Sequence, residues 1–266
     1  MRLRGFSLPV EYLSATSLAK AVSCPEAWRR RYLMKQKDQV YPEMFLGTVD
    51  HAMAAENLRQ KMETGQDLDI GWIRARYQAV WNEHEKNEDV EWGDTQEGNL
   101  QETGLRMAET WHLLCAPKIQ PVMVEERFEE VIGGVPFPII GFMDVVTSNR
   151  VVERKTSKSK VTKAKPNWRF QARVYQLIAD LPTDFHVITS QREPKVYTGE
   201  TEPGLFLDKG NPDTIVQLIQ QIAQRLNDLY ERYGADNSWP TEGLFHPWMC
   251  SRCSARNNGC PAWIVP

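Results

Sequence analysis

Gly141-Phe142-Met143-Asp144-Val145-Val146-Thr147-Ser148-Asn149-Arg150-Val151-Val152-Glu153-Arg154-Lys155-Thr156 holds two apolar, β-branched runs separated by a short polar break. Ser148-Asn149 has turn chemistry, so the two runs read as the arms of one hairpin. With a two-residue turn at 148 and 149, facing positions add up to 297, and Asp144 and Glu153 meet that condition. Their Cβ atoms are then expected roughly 4.5–5.5 Å apart on one face. Carboxylates so placed repel each other unless a cation sits between them. Lys155 points to the same face, because side chains alternate along a strand.

Two hard carboxylate donors beside an ammonium suit Mg²⁺- or Mn²⁺-assisted phosphodiester hydrolysis. The blander reading is a surface hairpin with ordinary charges, and Asp-x8-Glu-x-Lys taken alone does not exclude it. Arg154 alternates to the opposite face and needs either solvent or a partner there, which leaves the burial of this strand open.

Upstream, Ser14-Ala15-Thr16-Ser17 opens a helix running toward Leu33, with a break at Pro25. Helices are expected near 44–62, 70–87 and 99–114, the first ended by the Gly65-Gln66-Asp67 turn. A strand at 122–131 precedes Gly133-Gly134. Downstream come a helix at 167–181, strands at 185–189 and 195–198, and a helix at 212–233. Asn211 caps that last helix, Pro212 takes its first position and Gly234 ends it. Ile219, Ile222, Leu226, Leu229 and Tyr233 make its apolar seam. The expected architecture is one α/β domain over 1–266, a small sheet with helices against it and a helical insertion over 60–118.

The chain has 266 residues, 41% of them hydrophobic and 25% charged, which suits an ordinary globular core. No apolar run approaches the ~18–20 residues that span a bilayer, and no signal peptide is visible, so a cytoplasmic protein without membrane partners is expected. The net charge of −3 hides a segregated distribution. Residues 150–173 hold nine basic side chains and one acid, and Arg29, Arg30, Arg31, Lys35 and Lys37 add a second basic stretch. A local field of this kind attracts a polyanion whatever the total charge.

Cys250-x2-Cys253-x6-Cys260 places three thiols within eleven residues. Five cysteines, an odd number, suit metal ligation in a reducing compartment better than a disulfide framework. A tetrahedral site needs a fourth ligand, and Cys24 and His246 are the candidates. Spacing alone favours zinc with His246. Cys115 has no partner in this scheme and reads as a core thiol.

Taken together, Gly141-Phe-Met-Asp144, Val151-Val-Glu153-Arg-Lys155-Thr and Gln171-Ala-Arg-Val-Tyr175 resemble motifs of the RecB-like nucleases in the PD-(D/E)xK superfamily. The resemblance covers roughly residues 12–56, 120–180 and 245–262. It implies a small mixed sheet flanked by helices, with Asp144, Glu153 and Lys155 as catalytic residues. It also implies an upstream histidine at the metal, and Gly47-Thr-Val-Asp-His51 fits; Glu56, five residues on, lies off the His51 face of the helix. The metal ligands are then His51, Asp144, Glu153 and the backbone carbonyl of Arg154. Gln171 and Tyr175, one helical turn apart, approach the active site or the DNA, and Lys158, Lys160, Lys163 and Arg169 follow the phosphate backbone.

Within that family the iron–sulfur branch, which includes AddB-type and CRISPR-adaptation exonucleases, pairs one N-terminal cysteine with a C-terminal triplet. This implies a 4Fe–4S cluster on Cys24, Cys250, Cys253 and Cys260, stapling 12–35 to 240–266, with zinc as the alternative. The implied activity is a DNA exonuclease on single-stranded ends with 5′-to-3′ polarity, in repair, recombination, phage replication or CRISPR adaptation. The alternatives are a structure-specific endonuclease with the same centre and a non-catalytic nucleic-acid-binding protein with structural zinc. Homo-oligomeric rings occur in the family but are not legible in one chain.

Overall fold

The computed structural model describes residues 5–241 together with Cys250, Cys253 and Cys260. His246, the alternative fourth cysteine-site ligand, lies outside the described residues. The chain forms two compact units: one takes the residues up to Gln39, Phe128–Gly141 and those from Gly210 onward, the other takes Val40–Arg127 and Phe142–Lys209.

The second unit carries the residues singled out around Asp144. Helix α3 (Pro42–Thr64) starts on Pro42, a position where the missing N–H has no helical partner to lose. It stops at Gly65, whose φ of 77° needs a residue without a Cβ. Asp69 caps α4 (Ile70–Glu85) by accepting the Gly71 N–H, and α5 (Glu97–Leu114) returns alongside.

The sheet strands are β1 (Met123–Glu130), β2 (Ile139–Val146), β3 (Val151–Ser157), β4 (Thr183–Thr189), β5 (Val196–Tyr197) and β6 (Phe206–Leu207). Their order is β1-β2-β3-β4-β5, with β6 also on β4. Strands β2 and β3 pair antiparallel through Val145↔Val152 and Val146↔Val151. This is the register that a turn at Ser148-Asn149 dictates. Strands β3 and β4 are parallel from Val151↔Thr183 to Ser157↔Thr189, so the chain must cross over between them, and α6 (Pro166–Ala179) makes that crossing. The sheet is therefore mixed. Strand β6 escaped the sequence reading because two residues carry no periodicity.

All seven positions of β4 are buried, which requires helices on both faces. On one face Val145, Val152 and Ile188 meet Phe45, Val49 and Met53 of α3, Tyr77 and Trp81 of α4, and Met107 and Trp111 of α5. On the other, Phe185 and Val187 pack against Trp168 and Ala172 of α6. Much of 60–118 thus supplies side chains to the same core as the strands. Cys115 is buried in that core.

In the first unit, Ser14 and Ser17 form a reciprocal cap at the start of α1 (Ala15–Ser23). Cys24 breaks the helix with extended backbone and leads into α2 (Pro25–Tyr32), as Pro25 predicts. Glu26 is fully buried. It accepts from Arg29, from Arg30 and from the Trp239 N–H at 2.8 Å, while Trp28 and Trp239 stack at 5.7 Å. Helix α7 (Pro212–Tyr233) begins at the Asn211 cap and ends at Gly234. No helix among the described residues is long and apolar enough to cross a membrane.

Candidate active site

The β2–β3 ladder is paired as far as Val145↔Val152. One residue farther, Asp144 Oδ2 accepts the Arg154 backbone N–H at 2.7 Å. A continued antiparallel ladder would send that N–H to a β2 carbonyl. Here a side chain takes the position, and the strands part where the acidic groups gather.

Glu153 is 1% exposed. Its Oε1 accepts from Lys155 Nζ at 2.6 Å. Its Oε2 is buried and has no hydrogen-bond partner among the described residues. Lys155 Nζ also donates to Gln171 Oε1 at 3.0 Å, and Gln171 Nε2 donates to the Tyr175 hydroxyl at 2.7 Å. Their positions one turn apart on α6 allow this relay, so Gln171 contacts Lys155 and the buried Tyr175 contacts Gln171.

Helix α3 brings His51. A Cβ on Gly47 would stand 3.3 Å from Thr156 Oγ1 on β3, so the glycine lets the helix run close to the strand one turn before His51. His51 Nδ1 lies 3.4 Å from Asp144 Oδ1 and 3.9 Å from Glu125 Oε1. Glu56 is held away, paired with Arg76 at 3.0 Å.

Glu125 is a residue that the sequence reading missed. It has φ 51° inside β1, the left-handed region that costs a non-glycine residue on the order of 1–3 kcal/mol and clusters at functional sites. Its neighbours Glu126, Glu129 and Glu130 give no reason to prefer it by pattern. Potential ligand atoms of His51, Glu125 and Asp144 all lie within 4.8 Å of one another.

The charges behave as such crowding requires. Burial and the Asp144 charge push the Glu153 carboxyl up to about 7, against the pull of Lys155 and His51. Burial also works to raise Asp144, but His51, Lys155 and the Arg154 amide hold it below its ordinary value. Glu125 is raised by burial and by Asp144. Burial works to lower His51 and Lys155, yet the facing carboxylates raise both. His51, Glu125 and Asp144 offer ligand atoms that fit a divalent cation, with the unpartnered Glu153 Oε2 nearby on β3.

Arg154 does find a partner on the opposite face. Its guanidinium reaches Asp50 on α3, and β3 is buried from Val151 through Arg154. The basic residues after β3 are exposed: Lys158 pairs with Glu43, Lys160 pairs with Glu202 and stands over the Tyr197 ring, and Lys163 and Arg169 lie at the surface.

In the other unit, no disulfide joins the described cysteines. Burial raises the Cys250 thiol, and so do the neighbouring thiols of Cys253, Cys260 and Cys24. Cys24 thus lies within electrostatic reach of Cys250.

A family model for the PD-(D/E)XK nuclease superfamily matches residues 12–260. The chain belongs to this superfamily. A solved structure from Eubacterium rectale, named "Putative exonuclease", is similar to this nuclease over 82% of each chain at 13% identity, with a TM-score of 0.51. A second, SSO0001, covers 94% of the nuclease and 96% of its own chain at 16% identity, with a TM-score of 0.38. No curated protein matches the sequence significantly. The first likeness supports the fold of the nuclease; the roles of its residues rest on the site itself.

Proposed function

We propose that this nuclease is a divalent-metal-dependent deoxyribonuclease in which His51, Glu125, Asp144, Glu153 and the Arg154 carbonyl hold Mg²⁺ or Mn²⁺. The observation that carries the reading is the orphaned Glu153 Oε2, beside a lysine 2.6 Å from its sister oxygen. A divalent cation would complete the coordination of that oxygen and stabilise the ionised carboxylate. When bound, the metal polarises the scissile phosphate and acidifies a water. Glu153 and Lys155 orient that water, and the Lys155 ammonium offsets charge developing on the phosphate. Gln171 and Tyr175 hold Lys155 in place. Lys158, Lys160, Lys163 and Arg169 guide the DNA backbone.

The motif resemblance to RecB-like enzymes supports an exonuclease working on single-stranded ends with 5′-to-3′ polarity, in repair, recombination, phage replication or CRISPR adaptation. Incubation of end-labelled single- and double-stranded DNA with Mn²⁺, beside Asp144→Ala and Lys155→Ala, tests it. Ladders from the 5′ end that vanish in both variants are expected. Equal degradation by wild type and variants would overturn the site, and cleavage of closed circular single strands would replace exonuclease by endonuclease.

Cys24, Cys250, Cys253 and Cys260 hold a 4Fe–4S cluster in this reading, supported by the cysteine pattern and by the electrostatic reach of the other three thiols to Cys250. Brown protein with iron and acid-labile sulfide, losing its colour in Cys24→Ser, is the expected result. A colourless protein containing zinc would overturn it.

A further inference from the structure

Behind the acidic cluster lies a buried ion pair that the proposed chemistry does not use. Arg154 and Asp50 are 2% and 1% exposed. The guanidinium donates to Asp50 Oδ2 at 2.7 Å and to the Asp50 carbonyl at 2.9 Å, across 104 residues of sequence. The Trp111 ring of α5 covers it at 4.0 Å. Each partner adjoins the acidic cluster along the chain: Asp50 precedes His51, and the Arg154 N–H holds Asp144 Oδ2 at 2.7 Å.

The pair is poorly designed for stability. Asp50 Oδ1, Arg154 Nε, Trp111 Nε1 and His112 Nδ1 are buried without a hydrogen-bond partner among the described residues, and all four residues border one small cavity. A buried pair left incompletely bonded is commonly no better than an apolar pair of similar volume. What it does supply is direction. A two-pronged guanidinium contact fixes the turn of α3 that carries His51 against the strand that fixes Asp144.

We propose that Asp50 and Arg154, capped by Trp111, form a positioning device that sets His51 against Asp144, so that α5 takes part in building the metal centre. The inference rests on the metal-binding reading above. Residues that orient ligands from behind typically change metal affinity by about 10–100-fold when altered.

The test uses the full-length protein and Mn²⁺, followed by electron paramagnetic resonance of the free ion. Arg154→Met alone leaves Asp50 buried and uncompensated, so it is expected to unfold. Asp50→Leu combined with Arg154→Met restores an apolar pair and is expected to melt at or above the wild-type temperature. That double variant should bind Mn²⁺ about tenfold more weakly, and its half-maximal Mn²⁺ concentration for cleavage should rise likewise. A folded double variant with wild-type Mn²⁺ affinity overturns the inference. Should it not fold, Arg154→Lys carries the test, since it keeps the charge and loses the fork: weakened Mn²⁺ binding at an unchanged melting temperature supports the proposal, and unchanged binding overturns it. Asp144→Asn separates the two readings. If wild type binds no more Mn²⁺ than Asp144→Asn, the metal centre itself falls and this inference with it; if only the Asp50 and Arg154 variants are silent, this inference falls alone.

Discussion

Lys155 Nζ lies 2.6 Å from Glu153 Oε1, while the other oxygen of that carboxylate is buried without a donor among the described residues. One ammonium therefore serves half of a carboxylate, and the two halves predict different mutant behaviour. Lys155→Met should leave Mn²⁺ affinity unchanged or tightened, because it removes a competing cation. It should still lower kcat by about 10²–10³-fold, the usual effect of deleting a group that stabilises developing charge. Mn²⁺ titration beside single-turnover cleavage separates the two. A parallel loss of affinity would assign Lys155 to metal binding.

Glu153 also predicts a pH signature in metal-free protein. Its folded pKa is raised to about 7 from an ordinary 4.5, so the fold prefers the protonated form. Its contribution to stability is full below 4.5 and is lost as pH rises through about 7. Asp144 is lowered, so its contribution acts in the opposite sense and is lost only in more acidic solution. Glu153→Gln should flatten the melting temperature between pH about 4.5 and 7 and raise it above that window. Mn²⁺ binding just below pH 7 should release a proton in wild type and not in Glu153→Gln, a difference that calorimetry in two buffers reads directly.

Glu26 gives a prediction about the cysteine-bearing unit. Burial works to raise its carboxyl, but Arg29, the Trp239 N–H and Arg30 outweigh burial and hold it below its ordinary value. Its contribution is therefore present above pH 4.5 and is lost as pH falls through the lowered value. Glu26→Gln removes the buried carboxylate from beside Arg29 and Arg30 and should cost about 3–5 kcal/mol at neutral pH, measured by denaturant unfolding. A variant of wild-type stability would show that Arg29 and Arg30 reach solvent readily.

Gly104 predicts a steric dependence. A Cβ there would stand 1.9 Å from the Tyr77 hydroxyl and 2.7 Å from Leu46 Cδ1. Gly104→Ala should destabilise by about 1–3 kcal/mol through overpacking. Tyr77→Phe removes the nearest atom, so the double variant should recover part of the loss. Thermal melts of the four proteins give the coupling, and strict additivity would mean that the clash is relieved elsewhere.

Much of this was readable because it is local. The Ser148-Asn149 turn gives the β2–β3 register, and Asn211, Pro212 and Gly234 bound α7 without reference to any other element. Alternation along β3 put Glu153 and Lys155 on one face, while Gln171, Tyr175 and His51 came from the motif resemblance. What stayed hidden depends on the chain meeting itself. Glu125 enters the cluster through a left-handed backbone angle that no strand pattern predicts, since alternation treats Glu125 and Glu126 alike. Arg154 could be read only as needing solvent or a partner, because its acceptor, Asp50, lies 104 residues earlier. Trp111 sits in a segment whose sequence matched no motif, yet it covers that guanidinium. The two-residue β6 is defined only by its hydrogen bonds to β4.

The distance in sequence between Cys24 and Cys260, both in the proposed cluster, also sets a timetable for biosynthesis. The residues around Asp144 are all made once Tyr175 has been added, while the last of these thiols follows 85 positions later. At elongation rates of about 5–20 residues per second, the delay is roughly 4–17 seconds. The unit that carries Asp144 can therefore begin to fold on the ribosome well before the cysteine-bearing unit has all its parts.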